Sequence, residues 1–263
     1  GIVNTDTGAV TRPAEDTQVT LTAEAAGLSK QFTVTVKAQD PGQIEYIINH
    51  DYSEADYDTV EEVFGTGKYW IAGIGSGVSS EYSNDNIEFR VENGELIAHV
   101  KNTAGISHLE VDLRDEDGNP QTGKVWVEYK INLKSPKKTL VEPRSGSSII
   151  STTYYQGTNW SSVSMATSNT DPEIGSATNW GGELADGSNS YIMRALYNTD
   201  TRTIDEFYCN DADADNSIGD YFRQNAQGID RLRFYDNADA QFATEADVYG
   251  IEYIRAWKEI ETQ

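Results

Sequence analysis

The chain has 263 residues, 37% hydrophobic and 10% aromatic, with 15 Tyr and 5 Trp. That is enough for one large β-sandwich plus a smaller appendage, and its wealth of Tyr, Thr, Ser and Asn favours strands and polar turns over helices. A formal net charge of −23 sets nucleic acid and anionic membranes aside as partners. It also disfavours a strongly anionic polysaccharide unless Ca²⁺ or a local arginine cluster bridges the gap. The alternative is that the acidity simply keeps an extracellular protein soluble.

The single cysteine, Cys209, allows no intrachain disulfide, which fits bacterial export when the core is large. No stretch approaches the ~20 apolar residues of a membrane-spanning helix. The opening Gly1-Ile2-Val3-Asn4 reads as the middle of a domain, so we expect a piece of a longer, secreted or cell-surface bacterial polypeptide.

Residues 1–40 stand apart. Gly8-Ala9-Val10-Thr11-Arg12-Pro13 predicts a turn and a Pro-restricted extended pair. Val19-Thr20-Leu21-Thr22-Ala23 and Phe32-Thr33-Val34-Thr35-Val36 alternate with period two around a turn at Gly27, which predicts a hairpin. These signatures resemble the later half of the bacterial immunoglobulin-like domains common in secreted glycosidases. The resemblance implies an incomplete sandwich whose earlier strands lie elsewhere.

Asp40-Pro41-Gly42 reads as a linker, and residues 41–263 as one module. Its apolar runs are strand-like: Ile87–Val91, the turn Asn93-Gly94, Leu96–Val100, Leu109–Leu113, the turn from Asp115 to Asn119, and Val125–Leu133. Residues 143–188, rich in Ser, Thr, Asn and Gly, predict long loops and short strands at one rim. Tyr191–Tyr197, Ile204–Tyr208, Ile229–Tyr235 and Val248–Trp257 are further strands. Strands at this spacing argue for an all-β sandwich or jelly roll. The endings Gly228-Ile229-Asp230-Arg231-Leu232-Arg233-Phe234-Tyr235 and Tyr249-Gly250-Ile251-Glu252-Tyr253-Ile254-Arg255-Ala256-Trp257 resemble the closing strands of concanavalin-like jelly rolls. That group includes lectins, laminin-G-like modules, glycoside hydrolases and polysaccharide lyases, so the resemblance implies a fold and leaves the activity open.

Alternation assigns faces. Trp126, Glu128, Lys130 and Asn132 lie opposite the valines, Tyr129, Ile131 and Leu133 of their strand. Glu110, Asp112 and Arg114 share a face, as do Arg231, Arg233 and Tyr235. If these strands are neighbours they form one concave surface for a polysaccharide, with rings stacking on sugar faces and charges gripping hydroxyls. Tyr154, Tyr155, Trp160 and Trp180 stand among small polar residues, as a glycan-binding rim requires, and Tyr191 and Arg194 follow them. The alternative is that the aromatics pack back on the sandwich.

Three other groupings carry possible chemistry. Glu110-Val111-Asp112-Leu113-Arg114-Asp115 resembles the Glu-x-Asp-x-x-Glu strand of retaining jelly-roll glycosidases, with a shorter Asp at the final place. Tyr221-Phe222-Arg223 resembles part of an alginate-lyase motif, but Asn225 and Ala226 replace its glycine and tyrosine. Of the three histidines, His99 is the one placed to reach the concave side. Asp211, Asp213, Asp215 and Asp220 are a candidate structural Ca²⁺ loop; the twelfth position is Phe222, so it is no EF-hand. No phosphate loop, Ser/His/Asp set or zinc spacing occurs. The leading expectation is a non-catalytic polysaccharide-binding module. The alternatives are a lyase or hydrolase using the same groove, and a structural spacer or adhesin domain.

Overall fold

Period-two alternation places one side chain in two against a dry interior, and among the described strands Lys124–Leu133 and Ser190–Asn198 follow it most clearly. The computed structural model describes residues 17–25, 28–36, 43–53, 57, 59–71, 81–101, 108–135, 139–156, 162–173, 178–180, 189–213, 219–236 and 245–260. In chain order the elements are β1 (Thr17–Ala25), β2 (Leu28–Val36), β3 (Gln43–Asp51), α1 (Val60–Gly65), β4 (Tyr69–Ile71), β5 (Ile87–Glu92), β6 (Glu95–Val100), β7 (His108–Asp112), β8 (Lys124–Leu133) and β9 (Thr139–Ser145). Then follow β10 (Ser148–Ile149), β11 (Thr152–Gln156), β12 (Ser162–Ser168), β13 (Thr178–Trp180), β14 (Ser190–Asn198), β15 (Thr203–Cys209), β16 (Ala212–Asp213), β17 (Arg231–Asp236) and β18 (Ala246–Ile260).

The chain divides into two compact units, Gly1–Glu45 with Glu259–Gln263, and Tyr46–Lys258. In the first, β1 and β2 pair antiparallel from Thr17 opposite Val36 to Ala25 opposite Leu28, the hairpin that the alternating threonines predict. The connection at residues 26–27 lies outside the described residues.

The second unit is a β-sandwich jelly roll of two eight-stranded sheets. The first sheet runs β13-β12-β11-β9-β17-β7-β4, with β10 on β9. The second runs β16-β15-β14-β8-β18-β6-β5, with β3 on β18. The Asn93-Gly94 turn between β5 and β6 has positive φ at both residues, 54° and 77°, the conformation that an Asn-Gly hairpin supplies at least cost.

Between the sheets, Leu109, Val111, Val141, Leu232 and Phe234 of the first meet Val127, Tyr129, Ile131, Met193 and Ile254 of the second. The Phe234 ring stands edge-on to Tyr129 at 5.3 Å. The Tyr155 hydroxyl donates to the Tyr129 hydroxyl at 3.1 Å, so two buried phenols satisfy each other. Strict alternation breaks in β18, where register shifts between Asp247 and Tyr249 and between Ile251 and Tyr253 mark bulges. Val248 and Tyr249 are consequently both fully buried.

The segment 143–188, expected to form long loops and short strands, supplies β10, β11, β12, β13 and the end of β9, all in the first sheet. Its serines and threonines conceal strands because several of them face inward or lie under neighbours: Ser151, Thr152, Thr153 and Thr167 are all buried.

Candidate functional site

The outer face of the first sheet carries a dense polar constellation built on two buried carboxylates. β7 turns Leu109 and Val111 into the core, so His108, Glu110 and Asp112 face out. β17 buries Leu232 and Phe234 and presents Arg231, Arg233 and Tyr235. β9 lies on the other side of β17, with Glu142 opposite Arg233 and Arg144 opposite Arg231.

Register lines these residues up in rows across the strands. One runs Trp70, Glu110, Arg233, Glu142. The next runs His108, Tyr235, Leu140, Tyr154, Ser164. A third holds Asp112, Arg231 and Arg144.

Two carboxylates sit at the base of this face. Glu110, 2% exposed, accepts from Arg231 Nη1 on Oε2 at 2.7 Å and from Arg233 Nε on Oε1 at 2.7 Å, with Arg233 Nη2 also donating to Oε1. Burial alone would raise its carboxyl, but the two arginines outweigh that and hold it below the usual carboxylate range. Glu142, 1% exposed, accepts from Thr152 Oγ1 at 2.9 Å, Tyr235 Oη at 3.0 Å and Arg144 Nη1 at 3.1 Å. Arg223 Nη1 donates to Thr152 Oγ1 at 2.8 Å, so a residue from the loop before β17 joins the same network.

The remaining groups follow from burial and neighbours. Burial, reinforced by the Arg233 charge, lowers His108 to about 4, so its imidazole is neutral at neutral pH. Burial and then the Glu142 carboxylate push the Tyr235 phenol well above its ordinary value, so it keeps its proton and donates it. The two rings meet edge-to-face at 5.0 Å. Arg144 is lowered by burial and by the Arg233 charge.

The glycosidase-like triplet takes a different form. Glu110 is clamped by two arginines, Asp112 is held by Arg114 on both oxygens at 2.8–2.9 Å, and Asp115 caps its own turn by accepting from the Asn119 backbone at 2.7 Å. These carboxylates brace arginines and a turn.

The expected single concave surface is split. Arg231, Tyr235 and Tyr154 share the outer face of the first sheet. Trp126 and Arg194 lie on the outer face of the second sheet, because β8 and β14 belong to it. There Trp126, 9% exposed, stacks on Trp257 at 5.8 Å and 13°. Arg194 lies over Trp126 and Tyr208, at 5.7 and 4.5 Å. Tyr191 is in the core, packed against Tyr155 at 5.5 Å. It shares the inward face of β14 with Met193, Ala195 and Tyr197, so it cannot reach a sugar.

Trp180 occupies the β13 position opposite Ala166 at the edge of the first sheet, and Trp160 lies outside the described residues. His99 belongs to the second sheet, its Nδ1 2.8 Å from Asp247. It is His108 that reaches the polar face.

The candidate calcium loop is described only in part. Asp211 and Asp220 are solvent-exposed, while Asp215 and the side chain of Asp213 lie outside the described residues. Among the described residues no group of three or more His, Cys, Asp or Glu is placed to hold a metal ion.

Sequence reasoning missed Trp70, Glu142 and Arg144. The signal for two of them was present: Leu140, Glu142 and Arg144 alternate with Val141 and Pro143. Pro143, which cannot donate to a ladder, disguises that strand.

No protein-family model matches the chain, and no curated protein matches it. Among solved structures it is similar to a sialidase, with a TM-score of 0.54 and 13% identity over 92% of this chain and 21% of that one. It therefore spans about a fifth of that protein's length. It is also similar to β-agarase A in complex with oligoagarose, with a TM-score of 0.52 and 12% identity over 84% of this chain and 96% of that one. At these identities the likeness is one of fold, and the fold is the β-sandwich jelly roll.

Proposed function

We propose that the unit Tyr46–Lys258 is a non-catalytic polysaccharide-binding module of a larger secreted or cell-surface bacterial protein, and that the outer face of its first sheet is the glycan surface. The observation that carries this reading is the gathering of Arg144, Arg231, Arg233, Tyr235 and His108 around two buried carboxylates on one face. Glu110 and Glu142 are 2% and 1% exposed, which sets this array apart from the more open ion pairs of the second sheet, such as Lys130–Glu252. Fixed guanidinium donors suit sugar hydroxyls, and half-buried rings suit C–H faces. The β-agarase of the same fold holds oligoagarose, which fits a glycan without naming one.

Affinity electrophoresis against a panel of plant, algal and microbial polysaccharides tests this reading. Tyr235→Ala is expected to weaken retention about tenfold, a loss of ~1.4 kcal/mol. Failure of every polysaccharide to retard the unmodified protein refutes the reading and favours a structural spacer.

A second reading is lyase activity at the same face, favoured by one arrangement. Tyr235 donates to Glu142 while the neutral His108 abuts its ring beside Arg233. β-Elimination removes the proton α to a sugar carboxylate and protonates the departing glycosidic oxygen. A proton-bearing phenol next to a neutral imidazole offers one acid and one base. Growth of the ultraviolet absorbance of an unsaturated product, abolished in Tyr235→Phe, identifies this activity; no growth on any acidic polysaccharide rules it out.

A further inference from the structure

The way Glu110 is used points to the chemical class of the glycan. Arg231 and Arg233 are two residues apart on β17 and face the same side, roughly 7 Å apart along the strand. Glu110 gives one oxygen to each. The carboxylate is 2% exposed, whereas the arginine side chains above it are 28% and 21% exposed. A single buried anion therefore splays two cations and presents their far ends to solvent.

A guanidinium has five N–H donors, and here they are only partly spent. Arg231 uses Nε on Asp230 and Nη1 on Glu110. Arg233 uses Nε and Nη2 on Glu110. Nη2 of Arg231 and Nη1 of Arg233 engage no partner among the described residues, and each carries two N–H groups.

The register then adds a third cation. Arg144 is directly opposite Arg231, a like-charge cross-strand pair of the kind that destabilises a sheet. The guanidiniums of Arg144, Arg231 and Arg233 are thus crowded on one face, held apart by Glu110, Glu142 and Asp230. This cluster of guanidiniums stands in a chain of net charge −23. Long-range repulsion from the remaining acidity is screened beyond ~8 Å at physiological ionic strength, whereas contact between a guanidinium pair and an oxyanion is not. A neutral sugar hydroxyl cannot relieve the crowding of cations; an oxyanion can, and it takes charge-assisted bonds from both free Nη groups.

We infer that the glycan is acidic, and that one carboxylate or sulfate ester of it seats on Nη2 of Arg231 and Nη1 of Arg233, with Glu110 as the positioning residue. This rests on the reading of the first sheet's outer face as the glycan surface.

The test uses the full chain and matched pairs of polymers in isothermal titration: polygalacturonate against its carboxyl-reduced form, and dextran sulfate against dextran. At least one acidic polymer is expected to bind tenfold or more tightly than its neutral partner. Arg233→Gln is expected to erase most of that ratio by weakening the acidic partner far more than the neutral one. Preference within the first pair alone assigns a carboxylate, within the second alone a sulfate ester, and within both a seat open to either.

Equal binding of acidic and neutral partners overturns the inference but leaves the polysaccharide-binding reading intact, as does a ratio that survives in Arg233→Gln. Absence of binding to any glycan in the wider panel removes both. If Arg233→Gln fails to fold by circular dichroism, the matched-pair ratio of the unmodified protein decides alone.

Discussion

Replacing Glu110 by alanine separates bracing from catalysis more sharply than any other single change. The carboxylate is 2% exposed and takes hydrogen bonds from Arg231 and Arg233. Removing one partner of a buried ion pair costs ~3–5 kcal/mol, because the remaining charges lose their compensation. Here the stranded arginines are roughly a quarter exposed and can turn toward water, which puts the cost near the lower bound, about 3 kcal/mol. For a unit spanning Tyr46–Lys258, each kcal/mol shifts the melting temperature by about 2–4 °C, so Glu110→Ala should melt roughly 6–12 °C lower at pH 7.

The pH dependence adds a check on sign. The arginines hold the folded Glu110 carboxyl below its ordinary 4.5. Its contribution is therefore fully present above pH 4.5 and is lost as pH falls through the lower folded value. The melting difference between unmodified protein and Glu110→Ala should persist from pH 7 to 5 and shrink toward pH 3. The assay is differential scanning calorimetry across that range. A variant that melts within 2 °C of the unmodified protein at pH 7, yet loses a measurable hydrolytic activity, would mean that Glu110 is a catalytic carboxylate and that the bracing argument is wrong.

His50 supplies a second pH effect. Its Nδ1 lies 2.6 Å from the Tyr69 hydroxyl, which itself accepts from Tyr52 at 2.7 Å. Burial, then the Lys68 charge, lowers it to about 4. Between about pH 6.5 and 4 the unfolded chain binds the extra proton and the folded chain does not, so stability falls with pH by up to about 3 kcal/mol; a urea titration series should show that slope flattened in His50→Gln. Trp126→Ala removes a ring sandwiched between Trp257 and Arg194 on the second sheet. It should cost about 3 kcal/mol of stability and leave polysaccharide retention unchanged; weakened retention in a variant of normal melting temperature would move the glycan surface to that sheet.

How much of this was legible in the sequence differs from residue to residue. The side on which a residue lies was readable wherever alternation was clean. Trp126 and Arg231 do face away from the core, as the valines of β8 and the Leu232–Phe234 spacing of β17 require. What alternation cannot give is the sheet to which a strand belongs. β8 and β17 both point charges outward, yet they do so from opposite sides of the sandwich, so the rings of one never meet the arginines of the other. Tyr191 fails for a related reason. An aromatic after a polar segment looks like part of a rim, but it shares parity with Met193, Ala195 and Tyr197, and parity decides burial.

The decisive residues are those whose meaning depends on a neighbour far away in sequence. Glu110 read alone is a carboxylate in a glycosidase-like triplet. Set beside Arg233, 123 residues later, it is a strut. Glu142 read alone is a charge in a Pro-interrupted segment; placed opposite Arg233 and under Tyr235, it anchors the second half of the same face. Local pattern fixes which atoms can point outward, and antiparallel register between distant strands fixes what they find there. The function of this face therefore belongs to the pairing of β7, β17 and β9, and a substitution that slipped that register by one residue would bury Arg231 and Arg233 and expose Leu232 and Phe234. No spacing within one strand records such a dependence, which is why the motif and the site disagree about what Glu110 does.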